Sequence, residues 1–84
     1  MDGNELGFLL KYSSPFSILI VSEENKLQEL HCPFQVKAIR VVKNLMIGEI
    51  KTVTQVKLAT NNKLVFIIND MPFYYHYFDI LILV

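Results

Sequence analysis

The chain has 84 residues, of which 52% are hydrophobic and 19% charged, and its formal net charge is zero. This excludes a second domain, a strongly charged polyelectrolyte and a disordered chain, because a sequence this apolar and neutral collapses in water. So short a chain cannot hide all of its Leu, Ile, Val, Phe and Tyr in one core, so an apolar surface patch, and with it an interface, is expected.

Alternation with a period of two dominates the pattern. Gly7–Lys11 and Phe16–Ser22 read as strands separated by the turn cluster Ser13-Ser14-Pro15. On the second of these, Phe16, Ile18 and Ile20 share one face, and Leu19 and Val21 share the other. A strand apolar on both faces is covered on both, by its own domain or by a partner. Phe16, Ile18, Leu19, Ile20 and Val21 are therefore the candidate interface.

Ser22–His31 has two readings. Ser22 caps a short helix with Glu23 and Glu24 in its first turn, or Glu24-Asn25-Lys26 turns the chain into a strand over Leu27–Cys32. The helix has under three turns and is marginal, so the hairpin is preferred. Pro33 ends either element.

Strands are predicted over Gln35–Lys43 and Ile50–Leu58, with a loop over Asn44–Gly48 between them. Ala59–Lys63 forms a hairpin turn around Asn61-Asn62, and Leu64–Asn69 returns as a central strand. Asn69-Asp70-Met71-Pro72 makes another turn. Phe73–Val84 closes the chain, with one tight helical turn over Tyr75–Phe78 as an option and a last strand from Asp79. Short strands joined by tight turns favour a small barrel or roll, mainly β, in which closure removes exposed edges. The whole chain is one domain, with residues 1–34 as a β extension packed on a barrel of residues 35–84.

The segment from Gln35 onward resembles the small Src-homology-three-like barrels of uncharacterised bacterial and phage proteins. The features that carry the resemblance are Gly48-x-x-x-x-Val53-x-x-Val56, the Asn61-Asn62 hairpin, the strand Leu64–Ile68 and the ending Phe78-Asp79-Ile80. The resemblance implies a binding fold, whose members take peptides, nucleic acids or modified lysines, and leaves the first 34 residues unaccounted for. Such barrels often carry an aromatic residue three positions after the glycine. Here that position is Lys51, which favours an acidic or phosphate-bearing ligand.

The location expected is cytoplasmic. The single cysteine, Cys32, allows no intrachain disulfide, and Met1-Asp2-Gly3-Asn4-Glu5 lacks the basic start of a signal peptide. Asp79 interrupts the uncharged run from Met71 to Phe78, and Ile80–Val84 is too short to span a bilayer, so no membrane is expected among the partners.

Charge is unevenly placed. Between Gln35 and Lys63, the basic residues Lys37, Arg40, Lys43, Lys51, Lys57 and Lys63 face a single acid, Glu49. This segment reads as a phosphate-facing stripe or as solvated positions on alternating strands.

Catalytic chemistry finds little to work with. His31-Cys32 and the distant His76 match no standard zinc spacing, and Cys32 reads more simply as a small core residue. Glu23-Glu24 is an adjacent acid pair of the kind that sits in exposed turns. No phosphate-binding glycine loop, serine elbow or His-x-x-x-His pair is present, and the expectation is a protein that is not an enzyme and needs no cofactor or metal.

The densest feature is Phe73-Tyr74-Tyr75-His76-Tyr77-Phe78. Its rings cannot all point inward. Phe73 and Phe78 anchor a core, while the hydroxyls of Tyr74, Tyr75 and Tyr77 favour water or a partner. The run is a plug for the end of the barrel or a ligand site made of Tyr74, Tyr75, Tyr77 and Lys51. The function expected is a small binding or assembly module that associates with a protein partner or with itself as a homodimer. The alternative is a nucleic-acid- or peptide-binding barrel using residues 73–78 and the basic segment 37–63.

Overall fold

Nine short strands and one turn of 3-10 helix succeed one another in the computed structural model, which describes residues 8–22 and 24–81. The expectations placed on Gly7, on Glu23 and on 82–84 lie outside the described residues.

The first sheet is an antiparallel meander of β1 (Phe8–Ser14), β2 (Ser17–Ser22) and β3 (Leu27–His31). Its register assigns the faces. Tyr12 and Leu30 lie opposite Ile18, and Leu10 and Gln28 opposite Ile20, so these residues share one face of the sheet, on which Ile18 and Ile20 are buried. Between β2 and β3 the Ser22 N–H donates to the Lys26 carbonyl and the Asn25 N–H to that of Ser22, with Asn25 at φ 62°. Asparagine tolerates that left-handed conformation, and this turn, not the helix, forms at 22–32.

The second sheet has β4 (Phe34–Ala38) between β5 (Ile50–Val53) and β9 (Phe78–Ile80). The third has β7 (Leu64–Ile68) between β6 (Gln55–Leu58) and β8 (Met71–Tyr74). The mainly β class agrees with the sequence reading, but the barrel does not. The three sheets remain separate, because the chain passes between sheets at Thr54 and again through the 3-10 turn Tyr75–Tyr77.

Several element boundaries differ from expectation: β1 runs on through Ser13 and Ser14, so the first turn is Pro15-Phe16 and Phe16 is not a strand residue. Three more differ, each for a local reason. The strand from Gln35 ends at Ala38 instead of Lys43, because Ile39 donates its N–H to the Tyr77 carbonyl and the chain leaves the ladder. Val42 and Leu45 then close a tight turn with Lys43 at φ 53°. The long strand Ile50–Leu58 divides at Thr54, whose N–H and hydroxyl both turn to the Ile67 carbonyl. The turn at Asn69–Pro72 contracts to Asn69-Asp70, both at positive φ, which gives the two-residue hairpin loop whose backbone matches the twist of paired strands. Pro72 is then a strand residue, and it sits on the edge strand β8, where a missing N–H can face away from the ladder.

One buried cluster joins all three sheets. Phe66 lies at its centre, edge-on to Phe34 at 5.4 Å and 6.2 Å from Phe78, with Val53, Val56 and Ile68 around it. Ile18 and Ile20 belong to the same cluster, and the Val56 N–H reaches the Pro15 carbonyl at 2.8 Å. The first three strands are thus part of the common core.

Candidate functional site

The aromatic run divides between core and surface. Phe73 and Phe78 point inward and meet edge-on at 5.8 Å, as their lack of a hydroxyl predicts. The turn Tyr75–Tyr77 sends the intervening rings in different directions, some of them back against the core. Tyr75 leans back on the core cluster, Tyr74 is exposed, and Tyr77 is half-buried.

Tyr74 and Tyr77 form one wall of an open hollow of about 370 Å³. Phe73 and Pro72 continue that wall, and Val65 of β7 and Val42 of the β4–β5 loop close the rest. Two lysines stand against these rings. The Lys43 ammonium lies 4.5 Å from the centre of the Phe73 ring while donating to the Pro72 carbonyl at 2.6 Å, and the Lys63 ammonium lies 6.0 Å from the centre of the Tyr74 ring. Cations seated on aromatic faces are held by the ring quadrupole and keep their remaining N–H donors free for a ligand.

His76 completes the cluster, stacked 5.8 Å from Tyr74 with planes 14° apart and 4.5 Å from Tyr77. Partial burial, followed by the charges of Lys63 and Arg40, lowers its pKa below the ordinary imidazole value. The surroundings of His76 are thus electropositive. The hollow is an apolar, ring-walled depression with one cation, Lys43, in its lining and Lys63 against Tyr74 outside it, suited to an apolar anchor attached to an anionic group.

The expected ligand residues are only partly brought together. Tyr74 and Tyr77 line the hollow; Tyr75 packs inward and does not. Lys51 is absent from the lining because it lies on β5, opposite Val36, in a different sheet from Tyr74. Of the basic segment, Lys43 lines the hollow and Lys63 meets Tyr74 outside the lining. Both lie outside the strands, so alternation does not single them out from the other basic residues.

The expected interface residues also separate. Ile18 and Ile20 are spent on the chain's own core, so they cannot face a partner. Leu19 and Val21 lie on the opposite face, half-buried, and Phe16 protrudes at the β1–β2 turn with 57% of its surface exposed. A larger apolar surface lies elsewhere. Ile39, Val41, Met46, Ile47 and Ile50 are all exposed within the β4–β5 loop and its ends, around the buried anchor Leu45. That loop is tightly built: the Met46 N–H donates to the Glu49 carboxylate at 2.8 Å, and the Gly48 N–H to the Ala38 carbonyl. Gly48 adopts φ 94°, a conformation that favours glycine.

Cys32 packs half-buried against the core, and burial pushes its thiol pKa up, away from the thiolate a nucleophile needs. Among the described residues, no three His, Cys, Asp or Glu side chains gather where they could hold a metal ion, and no helix is long and apolar enough to cross a membrane. Comparison with protein-family models, with curated proteins and with solved structures finds no match to this chain.

Proposed function

We propose that this chain is a non-catalytic binding module that docks an acidic, apolar-anchored segment of a protein partner in the Tyr74–Tyr77 hollow. The observation that carries the reading is the Lys43 ammonium seated on the Phe73 wall of an otherwise apolar depression, with Lys63 against Tyr74 outside its lining. An apolar side chain fills such a pocket and gives affinity, while the cations select the charge beside it. A protein partner is favoured because the loop that contributes Val42 and Lys43 also displays exposed Val41, Met46 and Ile47, a surface fit for apolar contact.

A second reading rests on the near-parallel stack of Tyr74 and His76, which offers a flat platform for an unpaired base. Against it, the strand lysines form no single track. Lys37, Lys51 and Lys57 lie on three different strands in two sheets, and Lys37 pairs in register with Asp79.

The test is calorimetry with a short peptide of alternating aspartate and leucine, its lysine-for-aspartate counterpart and a single-stranded oligonucleotide. The acidic peptide is expected to bind, the basic one to fail, and the double variant Lys43→Glu, Lys63→Glu to lose at least about tenfold in affinity. Equal binding of both peptides removes the role given to the lysines. Preference for the oligonucleotide, with steep loss of affinity in salt, supports the second reading.

A further inference from the structure

We propose that β3 is the pairing edge of a two-fold dimer, in which the β3 strands of two copies join the two meanders into one six-stranded antiparallel sheet. The proposal is independent of the hollow. It starts from the hydrogen bonds that bracket the β2–β3 ladder, from the Ser22 N–H to the Lys26 carbonyl at 3.0 Å and from the Cys32 N–H to the Phe16 carbonyl at 2.7 Å. In an antiparallel ladder, pairs that exchange hydrogen bonds alternate with pairs that do not. Counting inward from both brackets through the unbroken register, Ile18–Leu30 and Ile20–Gln28 are the bonded pairs. Leu27, Glu29 and His31 therefore turn their N–H and C=O groups away from β2. β3 is the outer strand of its sheet, so among the described residues no strand receives them.

Such an edge is a template for another strand unless proline, a bulge or a covering element blunts it. β3 contains no proline, its register with β2 is regular, and all of its residues but the half-buried Leu30 are exposed.

The order of the side chains selects a second copy as the occupant. Antiparallel pairing about Leu30 places Glu29 opposite His31 of the second copy, and His31 opposite its Glu29. Both are outward-bonding residues, so each pair exchanges its two backbone hydrogen bonds. Within one copy these side chains already share a face, with His31 Nε2 3.7 Å from Glu29 Oε1. Facing pairs of this kind stabilise a sheet, whereas pairing about Glu29 would set two carboxylates against each other. The same register sets Leu27, 68% exposed, opposite the Cys32-Pro33 bend of the second copy, where the strand and its ladder end.

The experiment combines sedimentation velocity of the full chain over a concentration series with amide exchange at the highest and lowest concentrations. The expected result is a monomer–dimer equilibrium in which the amides of Leu27, Glu29 and His31 gain protection as the dimer forms. Glu29→Pro removes an outward N–H without touching the β2–β3 bonds and is expected to leave a monomer. Glu29→Lys, which keeps the backbone intact should the proline variant fail to fold, weakens the dimer about tenfold, and adding His31→Glu to it restores the dimer. A chain that stays monomeric throughout overturns the proposal, as does a dimer with those three amides unprotected or one indifferent to both Glu29 variants. Addition of an extended foreign peptide along β3 of a monomeric chain also counts against it.

Discussion

Phe66 and Tyr74 lie on neighbouring strands of one sheet and do opposite work. Phe66 is fully enclosed, with the rings of Phe34 and Phe78 packed on it, whereas Tyr74 keeps 38% of its surface in water beside Lys63. Phe66→Ala is expected to cost about 3–5 kcal/mol, most of the stability of a domain this small. Tyr74→Ala is expected to cost under about 1 kcal/mol, since it removes a half-solvated ring. Urea unfolding of both variants measures the contrast, and equal losses would contradict the placement of Tyr74 on the surface. His76 makes a separate prediction. Its folded-state pKa is lowered by partial burial and by Lys63 and Arg40, so below the ordinary value of about 6.5 the unfolded chain binds more protons than the folded one. Stability therefore declines as pH falls from that value through the folded pKa, and an anion bound near Lys63 is expected to raise that pKa. Proton NMR titration of the His76 ring, free and with the acidic peptide, reads both effects. At this scale the sequence is informative where alternation is strict. Along β7 the residues Leu64, Phe66 and Ile68 are buried in alternation with Val65 and Ile67.

Val53 and Val56 show what alternation alone misses at the level of the element. They stand three residues apart, an odd spacing, so on one straight strand they would face opposite ways, yet both are fully buried in one cluster. The chain resolves the conflict by changing sheets at Thr54, which is fixed to the Ile67 carbonyl by its N–H at 3.0 Å and its hydroxyl at 3.3 Å. Thr54→Pro removes that N–H and is expected to cost about 1–3 kcal/mol, while Thr54→Ala, losing only an exposed hydroxyl contact, costs about 0.5 kcal/mol. Denaturant unfolding distinguishes them, and a harmless proline would mean that the Thr54 N–H does not hold the Ile67 carbonyl. A similar signal marks the end of β4. Phe34, Val36 and Ala38 point inward, and the next position in phase is the charged Arg40, where the strand has already ended. Turn chemistry is more legible: Asn25, Asn62 and Asn69 all sit at positive φ in hairpin connections, as their side chains allow.

For the molecule as a whole, mainly β architecture comes from the period of two, but the division into three sheets depends on contacts between distant segments. The same holds for the hollow. Its aromatic wall is evident from the run at 73–78, whereas its lining cation is Lys43, a loop residue joined to that wall only by the folded chain. The basic segment 37–63 contains Lys43 and Lys63 without singling them out, and the resemblance points to Lys51, which the fold places in another sheet. Docking of an acidic segment in this hollow is tested by mapping NMR shifts across the whole chain during titration with the aspartate–leucine peptide. Saturable shifts are expected, concentrated at Tyr74, Tyr77, Lys43, Lys63 and Val65 and absent with the lysine counterpart. Saturable shifts confined to the outer face around Leu19 and Val21, or no shifts anywhere, would contradict it.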